Sequence, residues 1–538
     1  MFTNLVRISV SGLSVGLFAL MANAQTGTLS VTVTRAGRPG GLPCRAWVES
    51  AGRRYFEPSS PGCTPYAKDR SFSCDGAFTL ALPAGKAIVH LERGKEYPPV
   101  RREVAVEAGR TIDLAVEMEP WVEMHKEGWY SADHHVHFGH DSPATLRQLA
   151  LADDLNILPV FSYWNEFGKA DWPERPEWPV ARADDTHLVV MNNIEIERLG
   201  DEPFASVGAL LIFGLNRPIV FAGRTATWPP DVVFQRLARR QSPECVIDTD
   251  KPLWGGNVVG VALGLFDTVQ VCHNHFHRAT TMPVCCGMIG PEIEDSPGPW
   301  GEDELFLRTN GVYYRWLNCG FRLGVTGGSA IGVMPSPAGY SRTYARLDEP
   351  LTVEGFNRAV RAGRTFATSG PMLILTVDGH FPGDVLARTS GREGLRVKAE
   401  LRAIEAIDAI DVVCNGQVIH SEKLTGEKPA PVLRKTVEIA HRVKRSGWLA
   451  ARAVYRAPDG RMRQAHTSPV YVTLDGKPTA SRADSEYMLR WLDRLETISN
   501  RPKRYPTPSQ RDEALALIQE ARRVYGKIAR TAAETWGD

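Results

Sequence analysis

The stretch Gly128-Trp-Tyr-Ser-Ala-Asp-His-His-Val-His-Phe-Gly-His140 gathers four histidines: His134, His135, His137 and His140. A second run, Cys272-His273-Asn274-His275-Phe276-His277, holds three more, so two short windows carry half of the chain's fourteen. Imidazole is the commonest protein ligand for transition metals and the usual acid–base group at neutral pH. In an extended chain, residues i and i+2 share a face. His135 and His137 therefore aim two imidazoles at one point, with Asp133 on the same side to orient a ligand or bind directly, and His134 turned away. His273, His275 and His277 repeat the spacing, provided that their strand continues. Glu195 lies where the apolar segment from Leu188 to Ile196 ends, with Glu197 as a spare two residues on. Carboxylate with imidazole suits zinc, manganese or iron. The expected ligands of a divalent metal are thus His135, His137, Glu195, His273, His275 and His277. A lone HxH motif says little, because two surface histidines give the same pattern. The second histidine run and the carboxylate add the weight.

The elements that must position these groups fall into successive textures. Residues 27–118 read as short alternating strands (Leu29–Thr34, Ala77–Leu82, Ala87–Leu91, Ile112–Met118) with turn residues between them, as in a small antiparallel sandwich. From 120 to 370, strand-like and helix-like runs alternate, which argues an α/β unit with a mainly parallel sheet. Its expected strands are Ser131–His137, Ile157–Phe161, Leu188–Met191, Val258–Leu265 and Val269–Cys272, with a helix from Pro143 to Asp153 capped by Ser142. Functional residues in such folds gather at strand C-terminal ends. Residues 371–475 read as a second, Ig-like sandwich, in which Asn415-Gly416 is a hairpin turn. From 480 to 538, apolar stripes at helical spacing predict a helical hairpin.

A length of 538 residues suits three or four domains at roughly 100–200 residues each. Hydrophobic residues make up 43% and charged residues 23%. A net charge of +1 gives no reason to expect nucleic acid or an anionic membrane surface as partner. Arg7, the apolar run Ile8–Met21 and Ala22-Asn-Ala24-Gln25 read as a secretory signal peptide over 1–24. The apolar run is shorter than the ~20 residues of a membrane span. The expected location is periplasmic or secreted, with no stable membrane span after cleavage. Export permits disulfides. Cys63 and Cys74 are one possible pair, Cys44 competes for either, and adjacent Cys285 and Cys286 suit each other poorly.

Gly128-Trp-Tyr-x-Ala-Asp-x-His-Val-His resembles the opening motif of CehA/McbA-type metallohydrolases, within the polymerase-and-histidinol-phosphatase (PHP) superfamily. The likeness continues through Asn193-Ile-Glu195, Val271-Cys-His273 and Leu317–Ser329, and ends with Gly339–Tyr344 and Arg361–Pro371. The run Gly76–Gly85 resembles the carboxypeptidase-regulatory-like sandwich modules of exported proteins, which are usually accessory. The resemblance implies a multidomain α/β plus β protein: a PHP-like distorted (β/α)7 barrel with metals at the strand C-termini, flanked by two β-sandwich domains and followed by the helical hairpin. It implies a metal-dependent hydrolase acting on a phosphoester, ester, or carbamate or amide bond of a small-molecule or cell-envelope substrate. Departures reduce the ligand set. Ser162-Tyr163-Trp164-Asn165 stands where the family has Thr-Asp-His-Asn. Gly328-Ser329-Ala330 stands for Gly-Ser-Asp, and no histidine falls near Val207-Gly208. His140, His275 and His277 are possible replacements. Asp133 or His275 would accept a proton, and Arg342 would pair an anionic substrate group. Tyr163, Trp164 and Trp172 would wall an apolar pocket or pack in the core, and Glu292, Glu294 and Asp295 would support the ligands or face solvent. The alternative is a non-catalytic metal- or ligand-binding protein on the same fold.

Overall fold

The computed structural model describes residues 25–137, 142–165, 180–198, 208–217, 219, 227–279, 300–390, 394–426 and 429–537. Residues 1–24, where a signal peptide is expected, lie outside them, as do His140, Trp172, Cys285, Cys286, Glu292, Glu294 and Asp295 and the side chains of Tyr163 and Trp164. The molecule is mixed α/β and β. Near the N-terminus, alternation of buried and exposed residues along Thr26–Thr34 gives the strand one wet and one dry face. It pairs with Ala77–Pro83 and Thr111–Glu117. A second sheet, built around Cys44–Ser50 and Gly85–Glu92, contributes to the same core, so Leu29, Val31 and Phe78 meet Val48, Phe72 and Val89. Cys44 and Cys63 both lie opposite Cys74 across neighbouring strands, and all three are free thiols.

This unit docks on the next through buried charge. Arg45 forks onto Asp153 (2.9 and 2.5 Å), and Arg93 reaches Asp154 at 2.7 Å. Both acids follow the helix Pro143–Ala152, whose start is fixed by Ser142 Oγ accepting from the Thr145 N–H.

The large sheet carries the histidines. Trp129–Ala132, Ile157–Asn165 and Leu188–Arg198 run parallel. Gly208–Phe213 follows antiparallel, and then Val246–Asp248, Thr268–Cys272 and Gly324–Gly327 run parallel again. The sheet curls back on itself. His134 N–H donates to Gly327 O (3.1 Å), and Gly327 N–H donates to Thr343 Oγ1 (2.9 Å) on Arg342–Arg346, the antiparallel neighbour of Trp129–Ala132. Two expected strands differ. Ser131–His137 is a ladder strand only to Ala132, beyond which the chain stays extended and Val136 bridges singly to Val160 and Ile331. Val258–Leu265 is instead covered by the helix Asn257–Ala262, buried at every position, so its sequence shows no amphipathic period.

No break in pairing marks residue 371. Thr365–Thr368 pairs with Met462–Thr467, and the sheet continues through Gly447–Arg456 to Ala409–Cys414 and Gln417–Lys423. Asn415 and Gly416 turn the last pair with φ of 48° and 82°, as a tight hairpin needs. A three-stranded sheet, Met372–Val377, Leu395–Ala403 and Leu433–His441, covers the other side of that core. The helices Arg482–Ser499 and Pro508–Trp536 bury Trp491, Leu492, Ala521 and Tyr525, and Tyr525 donates to Val258 O at 3.1 Å. No helix among the described residues is long and apolar enough to cross a membrane.

Candidate metal centre

Three buried side chains converge. The extended chain after Ala132 keeps His135 and His137 on one side, and their Nε2 atoms lie 3.0 Å apart. Glu195 comes from Leu188–Arg198, two strands along, and sets its oxygens 3.6 Å from His135 Nε2 and 3.2 Å from His137 Nε2. One ligand atom from each of the three falls within 4.8 Å of the others. Two glycines allow the chain to pass this closely. A Cβ on Gly328 would lie 2.6 Å from the Cβ of His135, and one on Gly332, at a φ of +95°, would lie 2.9 Å from that of His137. Phe161 lays its ring against both imidazoles, with centroids 5.5 and 5.4 Å away.

Behind this group stands a residue that the sequence reading passed over. Asp250 Oδ1 lies 3.2 Å from His135 Nδ1, on the side of the ring away from Glu195. A carboxylate behind a ligating imidazole fixes its orientation and raises its basicity. Asp250 follows Val246–Asp248 in a tight turn at a φ of +57°, a conformation that aspartate tolerates better than most residues. The Asp248 carboxylate holds that turn by accepting from the Asp250 N–H at 2.8 Å and from Thr268 at 2.6 Å. Asp250 Oδ2 accepts from Lys251 Nζ (2.6 Å) and from Trp254 Nε1 (2.8 Å). The signal was present in sequence: Asp248 and Asp250 sit at i and i+2 where an apolar run ends, as Glu195 and Glu197 do.

Electrostatics follow the geometry. Burial opposes a charge on His135, but Glu195 and Asp250 override it and raise the imidazole to about 10. Burial and the neighbouring charge of His135 hold His137 well below its ordinary value. Glu195 Oε2 is buried and makes no well-aligned hydrogen bond although His137 Nε2 lies 3.2 Å away, an arrangement costly for a carboxylate unless a cation meets it. Two imidazoles and a carboxylate with such an atom fit a divalent ion.

The remaining expected residues are placed differently. His273 is buried, but Thr268–Cys272 ends before it and a turn follows, with Phe276 N–H donating to His273 O at 3.0 Å. The i, i+2, i+4 alignment is therefore lost. His273 Nε2 meets Thr309 Oγ1 at 3.1 Å, and its Nδ1 accepts from the His275 N–H at 3.3 Å. His273, His275 and His277 lie outside the three-residue group. His273 and His275 do share its buried region. Burial first, and the Lys251 charge next, lower both, His273 to about 3. Burial brings His277 to about 4.

Asp133 is a correction. It does not face the group as a free base. Its Oδ1 accepts from the N–H groups of His135 (3.0 Å) and Ser329 (2.9 Å), and its Oδ2 from Gly339 N–H (2.7 Å) and the Ser329 hydroxyl. All four acceptor positions tie chain segments together. Arg342 is the second correction. It is fully buried and donates to the carbonyls of Gly339, Asp154 and Asp153 at 2.8–3.0 Å, so its guanidinium is a clamp on the backbone and is not available to a substrate. His134 turns away as expected, with Nδ1 2.8 Å from Thr343 Oγ1. No family model matches the chain, and a search of curated proteins returns no match.

Proposed function

We propose that the protein is a metal-dependent hydrolase on a PHP-like fold, with His135, His137 and Glu195 holding one divalent zinc, manganese or iron ion. The observation that carries this reading is the buried convergence of two Nε2 atoms and a carboxylate within 4.8 Å, backed by Asp250 on His135. The motif resemblance and the curl of the large sheet support a distorted barrel. The position of His135 and His137 just beyond the strand Trp129–Ala132, with Glu195 near the C-terminal end of Leu188–Arg198, fits the place where such folds keep their chemistry. When bound, such an ion supplies Lewis acidity, polarising a carbonyl or phosphoryl oxygen and acidifying water toward a pKa of ~7. The chain's own contributions are distinct. Asp250, 3.2 Å from His135 Nδ1, would orient the His135 ring. Glu195 has two oxygens, so one can ligate while the other takes a proton from the attacking water. Phe161 keeps bulk water from one side of both imidazoles. The substrate class is a small-molecule or cell-envelope ester, carbamate, amide or phosphoester. The N-terminal segment with Arg7, the apolar run and Ala22–Ala24 supports export to the periplasm or medium.

The test is elemental analysis of protein purified without chelator, beside His135→Ala and Glu195→Gln, followed by nitrophenyl phosphate, ester and carbamate substrates. About one ion per chain in the wild type and loss in both variants is expected. Equal metal in wild type and variants refutes the site. A second reading, metal binding without catalysis, is favoured by one observation: Asp133 and Arg342 are both committed to the backbone. Bound metal with no turnover on any substrate would select it.

A further inference from the structure

A cavity of about 730 Å3 lies between the N-terminal sandwich, the large sheet and the C-terminal strands, lined by none of the three converging residues. Its polar lining is almost entirely spoken for. Glu92 is forked by Arg278 at 2.8 and 2.9 Å. Asp459 takes Arg463 at 2.5 Å, and Asp153 takes Arg45. Glu119 accepts from Ala36 N–H at 2.7 Å and lies 3.5 Å from Arg35. Glu405 accepts the Tyr455 hydroxyl. Arg342 is committed to three carbonyls.

The exception is Lys95. Its ammonium sits 4.7 Å over the ring of Tyr340, whose hydroxyl accepts from Arg463 at 2.9 Å. Among the described residues no carboxylate comes within ion-pair distance of it. Burial and the repulsion of Arg463 and Arg342 outweigh the attraction of Glu405 and Glu92 and bring the ammonium down to about 7. Aromatic rings and prolines share the lining with these charged groups. Trp121 donates its ring N–H to Lys95 O at 2.9 Å and is thereby held at the edge, with Tyr97, Pro98, Pro120 and Pro337 nearby. A cation with no carboxylate in direct contact, in a cavity that also presents an aromatic ring, suits a ring carrying one negative charge.

We propose that this cavity binds a small ring-bearing carboxylate, with its charge on Lys95 and its ring against Trp121. The site is separate from the metal centre and does not depend on the hydrolase reading. The test uses chelator-treated full chain, so that no metal can capture a carboxylate. Benzoate and glucuronate, an aromatic and a sugar acid, are titrated beside benzyl alcohol and glucose by ligand-observed NMR and tryptophan fluorescence. One acid should bind while its uncharged counterpart does not. Lys95→Met should weaken that acid about tenfold or more, the loss of a charge-assisted contact, and Lys95→Arg should restore most of it. His135→Ala should leave it unchanged. Failure of both acids to bind at about 10 mM, or equal binding to Lys95→Met that retains its native thermal transition, overturns the proposal. Should Lys95→Met fail to fold, equal affinity for acid and uncharged counterpart in the wild type overturns it as well.

Discussion

Asp250 gives the sharpest test of the metal centre, because it touches no expected ligand atom and yet stands 3.2 Å behind His135. Replacing such a supporting carboxylate typically weakens metal binding 10–100-fold. That is about 1.4–2.7 kcal/mol. Asp250→Asn alone would confound this, because Asp250 is also the counterion of buried Lys251 at 2.6 Å. Removing one member of a buried pair costs about 3–5 kcal/mol of stability. The comparison should therefore be made in Lys251→Met, where no ammonium is left stranded and Asp250 still faces His135. The expected outcome is 10–100-fold weaker zinc binding by Asp250→Asn/Lys251→Met than by Lys251→Met, measured by competition with a chromophoric chelator. Thermal unfolding of the metal-free forms checks that both are folded. Equal affinity of the two proteins would refute the assignment of Asp250 as the residue that orients His135.

Asp133→Asn should act on stability, because an amide nitrogen would confront donors that now meet a carboxylate. A cost of about 1–3 kcal/mol for each unsatisfied group is expected by denaturant unfolding. Unchanged stability with abolished turnover would instead restore a proton-accepting role. Arg342→Met strands the Gly339 and Asp153 carbonyls and leaves Asp154 O to the Ser131 hydroxyl alone, with a similar cost for each stranded group. It should lower the thermal midpoint equally with and without an anionic substrate. Glu96 is buried, accepting from Met124 N–H (2.8 Å) and the Tyr344 hydroxyl (3.1 Å), and burial raises it to about 8. The folded state thus keeps a proton that the unfolded chain loses near its ordinary 4.5. Stability from this group is full below that value and falls as pH rises toward 8, by at most about 1.4 kcal/mol per pH unit. Glu96→Gln should flatten that part of the stability–pH profile, and an unchanged slope would refute the assignment.

What the sequence reveals and what it hides can be traced to the range of the contacts involved. His135 and His137 converge because alternation is a property of any extended chain, and it survives even where the ladder ends at Ala132. Glu195 is legible because a carboxylate at the end of an apolar strand must go somewhere useful or costly. The coarse architecture is legible where one face is wet. The strand Thr26–Thr34 and the stripe Tyr487–Ile498 announce themselves by period. Asn257–Ala262 does not, because a helix buried on all sides has no polar face, and its β-branched residues then read as strand.

The misplaced roles share a different cause. Asp133 and Arg342 have the residue types of catalysis, but most of their partners lie about 200 positions away in sequence, at Ser329 and Gly339 for Asp133 and at Asp153 and Asp154 for Arg342. Nothing local distinguishes a buried carboxylate that accepts four backbone and hydroxyl donors from one that awaits a proton. His273 fails through one local event, the turn after Cys272, which hands its Nε2 to Thr309. The same long-range logic explains why Asp250 was missed. Its importance comes from facing a ring contributed by His135, and only the curl of the sheet puts the two together. Residue type and spacing therefore nominate the ligands, whereas closure of the fold decides which polar groups hold them and which hold the backbone.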